Sequence, residues 1–133
     1  MAHVSAKEII KVKCTLFGQM FESGQIAEMV ALFYTPDAVL EGQNLPPQRG
    51  RAAIAAVFEE ATRFYRTITI EHEPPVVYGE IAFGSISNTN VLMDGSVELH
   101  RGLMIWKLVD ESWFVERDCF FGMETAILSG DAI

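Results

Sequence analysis

The chain has 133 residues, of which 50% are hydrophobic and 21% are charged, and its formal net charge is −8. A chain of this length and composition can bury its own core, so we expect one domain over residues 1–133. The ten Lys and Arg residues are scattered, which argues against nucleic acid as a partner, because its binders cluster their basic side chains.

The sequence shows no sign of membrane insertion or export. No apolar run approaches the roughly 18 residues that a spanning helix needs. Charged residues between Lys7 and Lys13 interrupt the apolar block that a signal peptide would require. We therefore expect a cytoplasmic protein, in which Cys14 and Cys119 are buried, reduced thiols.

The first helical pattern begins close to the N-terminus. Ser5 and Glu8 have the spacing of a capping box, so a helix should start near Ala6. Gly24 can end that helix, because glycine adopts a positive φ without a Cβ clash. The apolar stripe of this helix recurs at steps of four, three and four residues, at Ile10, Cys14, Phe17 and Phe21.

Two further helices follow. Residues 26–33 carry apolar side chains at helical spacing, and Pro36 prevents the helix from continuing. A short strand over 38–40 and a Pro-Pro loop then lead to Gly50. After Gly50 a third helix is predicted, with an apolar face that reaches Tyr65.

After residue 66 the pattern changes to the alternation of strands. We predict strands over 67–72, 76–93, 97–109 and 113–121. Asp94-Gly95 is the strongest hairpin signal, and a two-residue type I′ turn there pairs Thr89 with His100. Three helices followed by antiparallel strands predict an α+β fold, with the helices packed on a curved, mostly antiparallel sheet.

The turn before the last strand leaves two registers open. A two-residue turn at Asp110-Glu111 pairs Leu103 with Asp118, which turns Asp118 to the face opposite His100. A three-residue turn pairs Met104 with Asp118 and brings both side chains to one face. A one-residue change in register reverses the whole strand, so the sequence pattern does not choose between them.

Four segments carry a family resemblance that covers nearly the whole chain. They are LFYTPDAV (32–39), RGRAAI (49–54), RGLMIWK (101–107) and WFVERD (113–118). They resemble the SnoaL-like branch of the nuclear transport factor 2-like superfamily, which also includes ketosteroid isomerases, limonene epoxide hydrolases and association domains. The resemblance implies a cone-shaped α+β roll with a mostly apolar cavity, often paired as a homodimer through the outer sheet face. It also favours an inward Asp118.

The catalytic residues of two better-known branches are not retained. Ketosteroid isomerase-like members carry a tyrosine on the first helix, and this chain has Phe17 there. Their aspartate base would fall near Gly42 and their sheet acid near Met104. Epoxide hydrolase-like members pair an acid of the last strand with an arginine and an aspartate two residues apart. This chain has Arg101, but Leu103 stands where that aspartate would be.

Asp118 and His100 are the candidate catalytic residues. Asp118 lies in an apolar strand, where burial would raise the pKa of its carboxyl and a nearby arginine would lower it. Such a carboxyl can act as a general acid or base, and the alternative is a structural ion pair with Arg101 or Arg117. His100 could transfer protons near neutral pH, with Tyr34 assisting the acid, or could simply be bonded to backbone or water at the sheet's end.

A set of large side chains is predicted to bind a small, largely apolar molecule, although each could be ordinary core. The set is Phe17, Phe21, Tyr34, Phe58, Met104, Trp106 and Phe120. The chain has no glycine-rich phosphate loop and no metal-ligand spacing, so we expect no cofactor and no metal site. The sequence predicts a small-molecule-binding protein that uses one carboxyl as an isomerase, cyclase, dehydratase or hydrolase. The alternative is a non-catalytic ligand-binding or homodimerisation module, since residues 97, 99, 103 and 105 form an outer apolar strip.

Overall fold

The structure is a computed structural model and describes residues 5–126. The helices are α1 (Ala6–Glu22), α2 (Ile26–Phe33) and α3 (Arg51–Ala61). The strands are β1 (Tyr34–Gly42), β2 (Leu45–Arg49), β3 (Tyr65–His72), β4 (Val76–Tyr78), β5 (Ile81–Leu92), β6 (Val97–Val109) and β7 (Ser112–Ala126). Among the described residues, no helix is long and apolar enough to cross a membrane.

Helix α1 begins and ends where its capping residues predict. The Ser5 hydroxyl accepts a hydrogen bond of 3.2 Å from the Glu8 backbone N–H, which satisfies one of the free donors of the first turn. Gly24 follows the helix with φ of 78°. The four stripe residues of α1 are all buried, and this face packs on β3.

The segment between α2 and α3 differs from the prediction in two places. Helix α2 passes directly into β1 at Tyr34, so the strand is longer than the predicted 38–40. Pro46 and Pro47 do not form a loop but lie in β2, which is tolerated because β2 is an edge strand and needs fewer backbone donors.

Helix α3 is one turn shorter than its apolar pattern predicts. It ends at Ala61, and Tyr65 is the first residue of β3. The Tyr65 backbone pairs with Leu92, and its hydroxyl donates a 2.6 Å hydrogen bond to Glu98. Sheet pairing therefore overrides the helical periodicity at Tyr65.

The strands form one mixed sheet that covers the helices. Its order is β2-β1-β7-β6-β5-β3, with β4 paired to β5. All pairs are antiparallel except β1 with β7, which run parallel. The buried core lies between the inner face of this sheet and the three helices. The predicted α+β architecture is confirmed.

The β5–β6 turn is longer than the predicted two-residue type I′ turn. Only Gly95 has a positive φ there, of 90°, and the Gly95 N–H donates to the Leu92 carbonyl. The Asp94 carboxylate accepts hydrogen bonds from the backbone N–H and the hydroxyl of Ser96, at 2.9 and 2.6 Å. These bonds stabilise a three-residue loop with a bulge at its glycine.

This loop shifts the β5–β6 register by one residue. His100 lies opposite Asn88 rather than Thr89, and Glu98 lies opposite Asn90 rather than Val91. The side chains of β5 that share the inner face with His100 are therefore the two asparagines.

The β6–β7 pairing combines features of both predicted registers. The turn has two residues, Asp110 and Glu111, with φ of 49° and 65°, as a type I′ turn requires. An irregularity then leaves Glu116 without a partner, because Trp106 pairs with Val115 and Ile105 with Arg117.

The extra residue decides the direction of Asp118. Beyond the bulge, Asp118 pairs with Met104, so it shares the inner face with Met104 and His100. The turn therefore has the two residues of the first predicted register. The bulge nevertheless pairs Asp118 with Met104, as the three-residue turn of the second register would have done.

The β6–β7 turn holds a strained side chain that can be tested. Glu111 has a left-handed φ of 65°, which costs a residue with a Cβ about 1 kcal/mol or more. We expect Glu111→Gly to raise the free energy of unfolding by about 0.5 to 1 kcal/mol, because relief of the backbone strain outweighs the larger chain entropy that glycine loses on folding. Urea denaturation measures the change.

Glu80 provides the matched control. It occupies the equivalent second position of the Gly79-Glu80 turn between β4 and β5, and its φ is not positive. Glu80→Gly should therefore leave stability unchanged or lower it. An equal gain in both variants would show that backbone strain at Glu111 is not the cause.

Candidate active site

A cavity of about 120 Å³ lies between α1, α3 and the inner face of the sheet. Its apolar walls include Phe17, Phe58, Ile68, Ile70 and Phe120. Its polar groups are Asn88, Asn90, His100 and Asp118. A cavity of about 150 Å³ can hold benzene, so this space is close to that of a single six-membered ring.

Asp118 is a buried carboxylate with one hydrogen-bond donor. It is only 5% exposed, and the Tyr34 hydroxyl donates a 2.7 Å hydrogen bond to its Oδ2. Tyr34 itself is fully buried at the start of β1, next to β7 in the sheet. The ion pair considered for Asp118 does not form, because Arg117 binds Glu41 at 3.0 Å and Arg101 points from the opposite, exposed face.

Burial raises the pKa of Asp118 to about 6, and the Tyr34 hydrogen bond opposes part of that rise. The pKa of the Tyr34 hydroxyl is raised well above its ordinary value, first by burial and then by the Asp118 charge. Tyr34 is therefore a neutral donor. Asp118 is a carboxyl that can gain and lose a proton close to neutral pH.

His100 is held by a neighbouring carboxylate. Its Nε2 lies 3.2 Å from Glu98 Oε1, which also accepts the 2.6 Å hydrogen bond from Tyr65. A carboxylate oxygen can only accept, so Nε2 carries a proton, and in the neutral ring Nδ1 is an acceptor. Nδ1 is buried and has no hydrogen-bond partner among the described residues.

Sequence reasoning missed the two asparagines and the carboxylate that holds His100. Asn88 and Asn90 stand two residues apart on β5, opposite His100 and Glu98. The Oδ1 atoms of both asparagines are buried without a partner among the described residues. The signal that could have found them is Ile86, whose apolar side chain marks the inner face at the same alternate positions.

The predicted ligand-binding set divides into two groups. Phe17, Phe58 and Phe120 line the cavity, and Tyr34 reaches it through its bond to Asp118. The other three, Phe21, Met104 and Trp106, are buried in the core and are not among the residues that line the cavity.

An aromatic ring fills the place near Gly42. The Phe120 ring lies against Gly42 so closely that a Cβ at that position would collide with it. The same ring makes an edge-on contact with His100, with 5.9 Å between the ring centroids. The space available to a side chain at position 42 is therefore taken up by the cavity wall.

His72 and the cysteines do not contribute a free reactive group to this cavity. A larger depression of about 350 Å³ lies beside His72, but both ring nitrogens of His72 are engaged. Trp106 Nε1 donates to Nε2 at 3.0 Å, and Nδ1 donates to the Glu73 carbonyl at 2.6 Å. Burial and the Asp118 charge raise the pKa of the Cys14 thiol to about 12, so it stays protonated.

Cys119 is half-buried rather than buried. Its pKa is raised first by burial and then by Glu41. Within residues 5–126, no group of three His, Cys, Asp or Glu side chains could hold a metal ion.

Comparison with known proteins identifies the family. The SnoaL-like domain matches residues 16–115, which is more than half of the chain. The chain belongs to the SnoaL-like family. Its fold is similar to those of solved structures described as NTF2-like. The comparison with curated proteins found no match.

Three solved structures illustrate the shared fold. A ketosteroid isomerase-like protein from Erwinia carotovora atroseptica SCRI1043 has a TM-score of 0.73 and 20% identity, covering 90% of this chain and 98% of its own. A candidate dehydratase of the NTF2-like family from Streptomyces avermitilis has a TM-score of 0.72 and 13% identity. The match covers 90% of this chain and 97% of that protein. An NTF2-like protein with a cystatin-like fold from Novosphingobium aromaticivorans has a TM-score of 0.71 and 18% identity. The match covers 96% of this chain and 84% of that protein.

The buried acid should leave a pH signature on stability. Its pKa is about 6 in the folded chain and near the ordinary 3.8 when unfolded, so the folded state binds the proton more tightly. Below pH 3.8 this group contributes about 3 kcal/mol to the free energy of unfolding. That contribution is lost as the pH rises from 3.8 through 6. Asp118→Asn, which can still accept the Tyr34 bond, should remove this loss.

Urea denaturation of wild type and variant at several pH values between 4 and 8 measures the difference. Asp37→Asn, at an exposed position, should follow the wild-type curve. Tyr34→Phe removes the hydrogen bond that lowers the Asp118 pKa. As the pH rises, this variant should therefore continue to lose stability up to a higher pH than the wild type does. Parallel curves for wild type and Asp118→Asn would contradict a raised pKa.

Proposed function

We propose that this chain is a proton-transfer enzyme that binds one small molecule in the cavity and uses Asp118 as its acid–base group. One observation carries the proposal: a buried carboxyl lies at the wall of a cavity, has a raised pKa and has no cationic partner among the described residues. Carboxyls perturbed by burial in this way occur most often at functional sites.

The chemistry follows from the protonation states. With a pKa of about 6, roughly nine in ten Asp118 carboxyls are ionised at pH 7. Tyr34 occupies Oδ2, which leaves Oδ1 to take a proton from the ligand. The same proton can return to another atom of the ligand, which is an isomerisation or cyclisation. If it returns to a hydroxyl that leaves as water, the reaction is a dehydration, and the reverse is water addition.

His100 would act as the second proton carrier. Glu98 holds its Nε2–H, so Nδ1 is the ring nitrogen that is left without a partner among the described residues. A carboxylate behind a histidine fixes which ring nitrogen carries the proton. Asp118 and His100 line the same cavity, which supports a reaction with proton transfer at two points.

A β-hydroxyketone tests this function. 3-Hydroxycyclohexanone has the size of one ring, carries protons beside a carbonyl, and can lose its hydroxyl as water. In D₂O, we expect the protein to accelerate exchange of those protons, as followed by proton NMR. Asp118→Asn should reduce the acceleration by about 100-fold or more, the usual contribution of a general base.

Asp37→Asn is the control, because Asp37 is an exposed carboxylate and should have no effect. Native mass spectrometry of the purified chain would identify any molecule carried from the cell. The acid–base role fails if a ring-sized hydroxyketone is bound but exchanges no faster than in buffer. It also fails if Asp118→Asn exchanges as fast as wild type.

A non-catalytic ligand-binding or homodimerisation module is the second candidate. The observation that favours it is the loss of three acid or tyrosine positions, at Phe17, at the filled position near Gly42, and at Met104. The outer sheet face also carries exposed apolar side chains: Leu99 at 41%, Leu103 at 38% and Phe121 at 55%. A cluster of this kind favours self-association over contact with water.

We therefore expect a homodimer through the outer sheet face, whichever function the cavity has. Leu103→Asp places a negative charge among the exposed apolar side chains of that face and should shift the protein from dimer to monomer. Light scattering after gel filtration measures the mass. Val12→Asp is the matched control, because Val12 is 56% exposed on α1, away from that face. A monomeric wild type, or a dimer that survives Leu103→Asp, would contradict this interface.

A further inference from the structure

One wall of the cavity consists of hydrogen-bond acceptors that the protein leaves unpaired. Asn88 Oδ1, Asn90 Oδ1 and His100 Nδ1 are all buried and have no partner among the described residues. Asn90 is only 8% exposed. Buried polar atoms in proteins are nearly always paired, so these three need partners from water or from a bound molecule.

The three groups lie close together because of the sheet register. Asn88 and Asn90 are alternate residues of β5, on the same face, and His100 is directly opposite Asn88. Glu98, opposite Asn90, is bonded to Tyr65 and His100. The polar patch is therefore one edge of the cavity, and Phe17, Ile68 and Ile70 belong to its apolar walls.

The chemistry of the patch selects hydroxyl groups. Its free atoms accept hydrogen bonds, so the ligand must donate them. An asparagine can also present its nitrogen to the cavity, and a hydroxyl can pair with either end of the amide because it both donates and accepts.

Charge excludes an acidic ligand. No Lys or Arg is among the described residues that line the cavity, whereas Asp118 is. A buried anion without a cation would carry a large desolvation penalty. Phosphates and carboxylates are therefore poor candidates for this site.

We propose that the cavity binds an uncharged, single-ring molecule that carries at least two hydroxyl groups along the edge facing Asn88, Asn90 and His100. This inference rests on the proposed function, because it assigns the ligand class of the same cavity. It also modifies the expectation of a largely apolar ligand. The apolar walls hold the ring, and the asparagines fix which edge of the ring turns toward the sheet.

Matched one-ring probes test the ligand class. Benzene, phenol and 1,3-dihydroxybenzene add hydroxyls to a constant ring, and benzoate adds a negative charge. Each probe is titrated into the full chain, and the dissociation constant is measured by NMR from the shifts of the cavity residues. We expect 1,3-dihydroxybenzene to bind at least about tenfold more tightly than benzene, and benzoate to bind most weakly.

Asn90→Leu replaces the buried amide with an apolar side chain of similar size. We expect it to reduce the preference for 1,3-dihydroxybenzene over benzene while keeping benzene binding. Thr89→Val is the control, because Thr89 points from the opposite face of β5. Each variant's amide spectrum shows whether the fold is intact.

The outcomes separate this inference from the proposed function. Equal binding of benzene and 1,3-dihydroxybenzene, or a preference that is unchanged in Asn90→Leu, would overturn the ligand class without touching the role of Asp118. A selective cavity with no loss of proton exchange in Asp118→Asn would overturn the enzyme and keep the ligand class. Failure of every probe to bind would overturn both.

Discussion

The site depends on a balance between burial and a single hydrogen bond at Asp118. Burial in the apolar strand β7 favours the protonated carboxyl, and the 2.7 Å bond from Tyr34 favours the carboxylate. Without burial the acid would be an ordinary aspartate, fully ionised at neutral pH. Without Tyr34 the charge would have no hydrogen-bond donor among the described residues, and the group would stay protonated over a wider range. The two effects together leave the pKa close to the pH at which proton transfer is efficient.

Much of the fold could be predicted from the chain, because helical and strand periodicity reflect which side chains are buried. The starts of α1 and α2 and the bounds of β6 follow the sequence pattern closely. Details of one residue could not be predicted, since they depend on turn geometry. The bonds of Asp94 to Ser96 lengthen one hairpin loop, and the bulge at Glu116 shifts another strand. Each of these details reverses which side chains face the cavity.

The candidate site was predicted unevenly for the same reason. Asp118 is conspicuous in the sequence as an acid among apolar neighbours. The asparagines are not, because residues 85–90 read SISNTN and are polar at five of six positions, so alternation hardly marks the inner face. Glu98 was missed because its role requires Tyr65 to lie in β3, whereas the helical pattern extends α3 across it. A polar site within a sheet gives little periodic signal, since both faces of the strand are hydrophilic.

The size of the cavity and the strength of its acid are physically linked. Phe120 lies in the space beside Gly42 and also lines the cavity next to Asp118 and His100. A smaller residue at position 120 would widen the space, admit water and move the Asp118 pKa back toward that of a solvated carboxyl. A cavity that keeps its acid near neutrality must therefore stay narrow and admit little water. A ligand replaces that water most favourably when its own hydroxyls meet the unpaired atoms of Asn88 and Asn90.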